Sequence, residues 1–230
     1  MEENKLNELK KGVKAAVPIM TGYIPIGAAF GILASQQGFT TGTIFLMSLL
    51  VYAGSAQFIA AAMISEGADA VSVITTTFLV NLRHLLMSAS LSPYMGKFST
   101  WLQSVIAFGI TDETFAVSES YTRHNGASGQ FFLGLHMASQ GSWILATVLG
   151  GIFGTGLGQA TKWGIDFALS AMFIGLLLMQ LKDKKGLLVS ICAGVLSLAL
   201  KIKLGGNFNV IIAAVVAATA GVIAEKWIKK

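Results

Sequence analysis

The chain has 230 residues, of which 54% are hydrophobic and 12% charged, with a mean hydropathy of +0.70. Soluble domains are about 25% charged, and sixteen Lys and Arg with eleven Asp and Glu cannot clothe a soluble core of this length. A soluble enzyme, a disordered chain and a collagen-like fibre are therefore excluded, and a polytopic membrane protein remains. The net charge of +5 comes from lysines scattered through connectors and is no nucleic-acid signature. A single cysteine, Cys192, lies inside an apolar stretch, which leaves no disulfide framework and no cysteine-based metal site.

Residues 1–11 read as a cytoplasmic amphipathic N-terminus, the start of a small helix over 4–16. Leu6, Leu9, Val13 and Ala16 share one side, flanked by Lys5, Lys10, Lys11 and Lys14, an arrangement that anchors a chain at an interface. No cleavable signal peptide is expected, because the apolar run that begins near Gly12 outlasts signal length. A spanning helix needs roughly 20 apolar residues. Eight blocks qualify as candidates: 12–34, 41–64, 70–91, 101–119, 130–154, 163–181, 186–203 and 207–226. Strands of alternating polarity are missing, so a β-barrel is not expected. The fold class is all-α and polytopic, with seven or eight transmembrane helices in one integral membrane domain, 1–230.

The first block contains Pro18 and Pro25 with Gly22, Gly27 and Gly31. Each proline removes a backbone N–H and frees a carbonyl one turn back. We expect a Pro/Gly-broken helix. It serves either as a packing kink, with Gly27-x-x-x-Gly31 for close contact, or as exposed backbone around Thr21, Gly22 and Pro25 that can receive a zwitterion. The second block carries Tyr52-Ala53-Gly54-Ser55-Ala56-Gln57-Phe58 near its middle, where Gln57 offers an amide. In the third, Thr77, Asn81, His84 and Ser88 form one polar stripe, and Thr76, Arg83 and Ser90 another. An unpaired Arg83 would cost at least ~2.5 kcal/mol at mid-bilayer. Its counter-charges are expected in the fourth block, Thr111-Asp112-Glu113, which is either a polar buried span or a re-entrant hairpin. The fifth block aligns His136, Ser139, Gln140, Trp143 and Thr147 on one stripe and ends on Gly150, Gly154 and Gly158.

Block 186–203 is short and can span only with snorkelling lysines or local thinning. If all eight blocks cross with the N-terminus inside, the inner loops hold Lys5, Lys10, Lys11, Lys14, Arg123, Lys182, Lys184, Lys185, Lys226, Lys229 and Lys230. The outer loops then hold Lys97, Lys162, Lys201 and Lys203. That split favours both termini cytoplasmic. A two-fold internal repeat at an offset of 115 is suggested by Ser55-Ala56-Gln57-Phe58-Ile59 against Ser170-Ala171-Met172-Phe173-Ile174.

Intramembrane ionisable groups default to function. The substrate-binding candidates are Thr21, Gly22, Pro25, Gln57, Asn81, Arg83 and Asp112, with Phe30, Phe58 and Met87 as apolar walls. The proton-coupling candidates are His84, Asp112, Glu113 and His136. No phosphate loop, metal-ligand spacing or potassium-filter segment is present, so neither a cofactor nor a metal is expected. A secondary transporter leads the readings; a passive channel or pore, a membrane-embedded enzyme and a scaffold subunit are the competitors.

Four segments in this order, Gly22-x-x-Pro25-x-Gly27-x-x-Phe30-Gly31, Tyr52-Ala53-Gly54-Ser55-Ala56-Gln57-Phe58, Asn81-Leu82-Arg83-His84-Leu85-Leu86-Met87-Ser88 and Thr111-Asp112-Glu113, resemble the AzlC family, the large subunit of bacterial branched-chain amino acid exporters. The resemblance implies a permease of the bacterial cytoplasmic membrane that is not an enzyme. It implies efflux of valine, leucine and isoleucine, and of methionine or analogues such as azaleucine. It also implies a partner, a small AzlD-type membrane subunit.

Overall fold

The computed structural model describes residues 2–156, 184–204 and 209–228, with scattered positions between 164 and 181. The described residues form helices and no strand, and the chain divides into two compact units, Met1–Ser170 and Ala171–Lys230. The first unit holds α1 (Glu2–Gln36), α2 (Thr41–Leu50), α3 (Gly54–Ser65), α4 (Ala70–Leu91), a 3-10 turn (Ser92–Tyr94), α5 (Thr100–Phe108), α6 (Asp112–Asn125) and α7 (Gly129–Gly154). The second holds α8 (Lys184–Leu204) and α9 (Asn209–Ile228). Three described helices are long and apolar enough to cross a membrane: Glu3–Gln36, Ala70–Tyr94 and Lys185–Lys203.

Helix starts follow local side-chain chemistry. Thr40, Asp69, Ser99, Thr111 and Ser128 each accept a backbone N–H of the helix that follows, the N-cap role. The Ser72 hydroxyl, 2.6 Å from the Asp69 carboxylate, together with the Ser72 N–H holds that acid below its ordinary range, because both bonds favour the charged form.

The first helix is not broken. α1 runs through Pro18 and Pro25 without interruption, so the small N-terminal helix and the first span are one element. At 1.5 Å per residue its 35 residues reach about 52 Å, well beyond a hydrocarbon core of about 30 Å. Two physical facts keep it whole. The fixed φ of proline is itself helical, and α7 supports α1 along most of its length. Gly12 abuts Phe131 and Leu135, Gly27 abuts Ala146 and Thr147, Gly31 abuts Thr147 and Gly151, and Gly150 abuts Ala28. A Cβ at Gly31 would fall on the Thr147 carbonyl oxygen and the Gly151 nitrogen. The packing use of the Gly27–Gly31 pair therefore prevails over the broken-helix use. Contact numbers rise together along both helices, so α1 and α7 are parallel neighbours.

The second block, expected as a straight span, and the fourth, for which a buried span and a hairpin were both open, each split into two helices that double back. α2 runs against α7: Ile44 meets Gly151, the Ser48 hydroxyl lies 2.8 Å from that of Thr147, and the Leu49 carbonyl accepts from Gln140. The chain then reverses at Val51-Tyr52-Ala53, where Tyr52 takes φ 45°, an uncommon conformation for a side chain of its size. α3 climbs back: Gly54 sits on the Trp143 ring, and the Phe58 ring lies 5.2 Å from that of Phe30. The α5–α6 pair mirrors this from the other end. Gly129 meets Leu102 and Gly109 meets His136, so α5 ascends beside α7. After Gly109-Ile110-Thr111 the chain descends until the Tyr121 hydroxyl donates to Glu8. Hydropathy is blind to the first reversal, since both of its arms are apolar; in the second, α6 carries Asp112, Glu113, Glu119 and Arg123.

Each hairpin follows a long helix, α1 and then α4, and the second helix-plus-hairpin enters from the opposite end. The hairpin arms start at 41 and 54, then at 100 and 112, offsets of 59 and 58. These differ from the 115 suggested by sequence, whose second segment includes Met172 and Phe173, outside the described residues. The sixth block, 163–181, lies largely outside them too. The seventh proves long enough to span, since α8 has 21 residues. In the second unit α8 and α9 pack together, with Val189 against Gly221 and Ala213 and Ala217 buried.

Charge follows the same geometry. In the stretch 2–156 Lys5, Lys10, Lys11, Lys14, Lys97 and Arg123 all lie at the end where α1 and α7 begin. Glu66 and Asp69 lie at the other end, and Arg83 is the remaining cation.

A bulky residue in the α1–α7 seam should be costly. Gly31→Val is expected to cost roughly 1–3 kcal/mol by overpacking and to lower the melting temperature in detergent by several degrees. Gly22→Ala, with nothing within 4 Å of the added carbon, should melt like the parent. Equal melting of the two variants would refute the seam.

Candidate functional site

The two hairpin tips meet beside α1, α4 and α7. Arg83, on α4, joins them: its Nη1 lies 2.6 Å from Asp112 Oδ2, and its Nη2 donates to Ser55 Oγ at 2.5 Å. Asp112 is the first residue of α6 and Ser55 the second of α3. One guanidinium thus links the starts of both returning arms. The expected pairing of Arg83 with a fourth-block carboxylate is observed, with side-chain exposures of 28% and 19%. Asp112 also gains from the α6 N-terminus, where the helix dipole favours negative charge.

A second contact set surrounds Tyr23 of α1. Its hydroxyl lies 2.7 Å from Thr111 Oγ1 and donates to Glu113 Oε2 at 2.9 Å, while its ring packs edge-on to Trp143 at 5.3 Å. Thr111 and Thr114 form a reciprocal capping box, which fixes the direction in which Asp112 and Glu113 leave the tip.

A third set lies on the other side of Trp143. The indole N–H donates to Gln57 Oε1 at 3.0 Å, and Gln57 Nε2 donates to Ser48 Oγ at 3.1 Å, which in turn meets Thr147. All four side chains are buried. Gln57 is therefore committed to protein partners and pins the α2–α3 hairpin shut against α7.

Buried polar atoms without a hydrogen-bond partner gather in the same region. Among the described residues they are Tyr52 Oη, Asn81 Oδ1, Arg83 Nε, both ring nitrogens of His136, and Ser139 Oγ, with Ser118 Oγ and Thr122 Oγ1 further along α6. A buried polar group left unpaired costs about 1–3 kcal/mol, so such a concentration marks a place built for something polar. The His136 ring occupies the space that a side chain at Gly109 would need, which is why a glycine stands at that tip. α3 is also distinctive: its N-cap, Ala53, supplies no side-chain hydrogen bond, whereas α2, α4, α5, α6 and α7 are each capped by a side chain.

The structure brings together Arg83, Asp112 and Glu113, with Gln57 one shell away. His84 is half-buried beside Arg83, and Asn81 and His136 are buried or half-buried. Thr21, Gly22 and Pro25 are exposed, away from the tips; the Thr21 hydroxyl donates to the Pro18 carbonyl at 2.7 Å. Phe30, Phe58 and Met87 are buried in one hydrophobic cluster. Sequence reasoning gave no role to Tyr23, Ser55 or Trp143. Their signal was available: Gly54-Ser55 inside an apolar run is a helix-start signature, and Tyr23 lies among the glycines of the first block.

The profile of the family described as "AzlC protein" matches residues 18–157. The chain belongs to the AzlC family. The match runs from the middle of α1 through α7, and so covers every residue of the site just described. Among relatives, "Inner membrane protein YgaZ" of Escherichia coli is 32% identical over 78% of this chain and 76% of its own. A membrane protein of Helicobacter pylori is 30% identical over 97% and 100%. "Branched-chain amino acid transport protein AzlC" of Bacillus subtilis is 31% identical over 89% and 82%. No solved structure matches. The membrane relatives and the long apolar helices agree on a helical membrane protein.

Two outcomes test the geometry. Gln57→Leu should leave the Trp143 N–H unpaired and cost about 1–3 kcal/mol, read as a lower melting temperature and altered indole fluorescence. Arg83→Gln and Asp112→Asn should each destabilise by roughly 2 kcal/mol, and the double variant by less than their sum, since the pair is lost once. Strict additivity would mean that the two groups do not interact.

Proposed function

We propose that this protein is a secondary-active exporter of branched-chain amino acids whose substrate site lies between the hairpin tips. The observation that carries the reading is Arg83 joining Ser55 and Asp112. A single cation holding the ends of two half-length helices in place is what an alternating barrier requires, and broken helices near the midplane are the usual site of transporter binding. In this reading the hairpins are re-entrant from opposite faces, so α1, α4 and α7 are the crossings of the first unit. The N-terminus is cytoplasmic, because the six cations at the α1 start then obey the positive-inside rule without exception.

A valine zwitterion needs donors for its carboxylate, acceptors for its ammonium and an apolar wall. The uncapped N–H groups at the start of α3, together with Arg83, supply the donors. Glu113 and the terminal carbonyls of α2 supply the acceptors. Phe30, Phe58 and Met87 form the wall. Asp112 and Glu113 are the proton-coupling groups, with His84 and His136 nearby. Thr21, Gly22 and Pro25 leave the substrate site in this proposal, because they are exposed on α1; that face is available to the small AzlD-type subunit. Support for the substrate class comes from the resemblance and from the name of the Bacillus subtilis relative.

Labelled-valine efflux from proteoliposomes holding the protein and its small subunit is the test. Arg83→Ala and Asp112→Ala should each abolish it at matched incorporation, and any residual flux of Asp112→Ala should lose its pH dependence. Near-parental efflux in both would move the site elsewhere. The topology is read separately by single cysteines in a Cys192→Ser background, labelled with an impermeant maleimide. Gly38→Cys and Gly67→Cys should react from the outside, and Gly96→Cys and Gly126→Cys only after lysis. Labelling of Gly38→Cys and Gly67→Cys from opposite faces would mean that α2–α3 crosses.

A further inference from the structure

We propose that the cleft between α1 and α6, at the basic end of the first unit, is a binding site for the headgroup of an anionic phospholipid. The cleft has a volume of about 670 Å³ and is lined by Lys11 and Lys14 from α1, Ser120, His124 and Asn125 from α6, and Phe131 of α7 as an apolar floor. No carboxylate lines it. A neighbouring cavity of about 580 Å³ differs on this point, since Glu8 stands among its cations Lys5, Lys11 and Lys97. Lys11 shares its charge with Glu8 at 2.7 Å; Lys14 has no ion pair among the described residues.

The chemistry of the lining names the class of ligand. Two ammonium groups flanked by hydroxyl, amide and imidazole donors suit a phosphodiester, and basic pockets between helices on the cytoplasmic side of a membrane hold acidic headgroups. The apolar part of the lining, Ala15, Ala116, Val117 and Phe131, excludes a small hydrophilic anion as the best fit. One helical turn beyond Lys14, Val17 is 50% exposed, so an acyl chain leaving the headgroup meets apolar surface at once. The site also has leverage. α6 is the returning arm of the lower hairpin, and its Tyr121 is already bonded to Glu8 of α1. A headgroup bridging Lys14 and Asn125 would add a second tie between the same two helices.

The experiment is native mass spectrometry of the purified protein in neutral detergent, titrated with phosphatidylglycerol or phosphatidylcholine. The parent should retain phosphatidylglycerol and not phosphatidylcholine. Lys11→Gln/Lys14→Gln should bind it roughly thirtyfold more weakly, at about fivefold per lysine. Lys5→Gln/Lys97→Gln removes the same charge from the neighbouring cavity and should stay within about twofold of the parent. Equal losses in the two double variants would show diffuse surface attraction and overturn the site. Displacement of the lipid by millimolar inorganic phosphate or glycerol phosphate would overturn the lipid assignment in favour of a soluble anion. If the first double variant does not fold, the parent's preference between the two lipids and its resistance to free phosphate decide the matter alone. None of these readouts depends on transport.

Discussion

Everything in the first unit depends on the parallel contact between α1 and α7. Two helices that point the same way and touch along their glycines oblige the intervening chain to return to its starting side. An odd number of crossings does that. With α4 as a full-length helix between them, the two remaining apolar blocks can both cross or both turn back. α2 descends along α7 before α3 climbs back, and α5 ascends beside α7 before α6 returns to Glu8 of α1, so both turn back. Small residues at Gly12, Gly27, Gly31 and Gly150 are thus the condition for a topology that is decided far from them.

The hairpin tips then create a problem that side chains must solve. Buried backbone needs partners, and a chain reversal leaves several polar groups unpaired at once. At the lower tip Thr111 and Thr114 cap each other and Tyr23 joins them. At the upper tip no side chain caps α3, and Arg83 approaches instead. The helix that leaves the α5–α6 tip is capped by its own side chains, whereas the one that leaves the α2–α3 tip is not. That asymmetry leaves the uncapped N–H groups of α3, the unpaired Tyr52 hydroxyl and the positive-φ backbone together at the α2–α3 tip.

Part of this was legible from residues alone. The all-helical membrane class followed from composition, and the cost of a lone guanidinium at depth pointed from Arg83 to Asp112. Gly27-x-x-x-Gly31 and Gly150-x-x-x-Gly154 read as contact surfaces, and they are; Gly158 lies outside the described residues. The α2–α3 hairpin was not legible, and α5–α6 was legible only as one of two alternatives, because hydropathy measures solvent preference and carries no direction. A run of 24 apolar positions looks the same whether it crosses or folds back at Tyr52. The prolines misled for a related reason: they announce a missing hydrogen bond, yet whether the helix yields there depends on α7, more than a hundred residues away. Of the proposed site, the charged members were visible and Tyr23, Ser55 and Trp143 were not, since their significance lies in which tips they face.

The order in which these contacts become available has a consequence for biosynthesis. Ser48 and Thr147 are 99 residues apart and Gln57 and Trp143 are 86 apart. At roughly 5–20 residues per second, the upper hairpin waits about 4–20 s after its own synthesis before the helix it leans on has been made. During that interval Ser48 and Gln57 have only each other, and their mutual hydrogen bond across the two arms lets the nascent hairpin shelter its polar groups. The bond that looks redundant in the finished protein is the one that pairs these two side chains until α7 arrives.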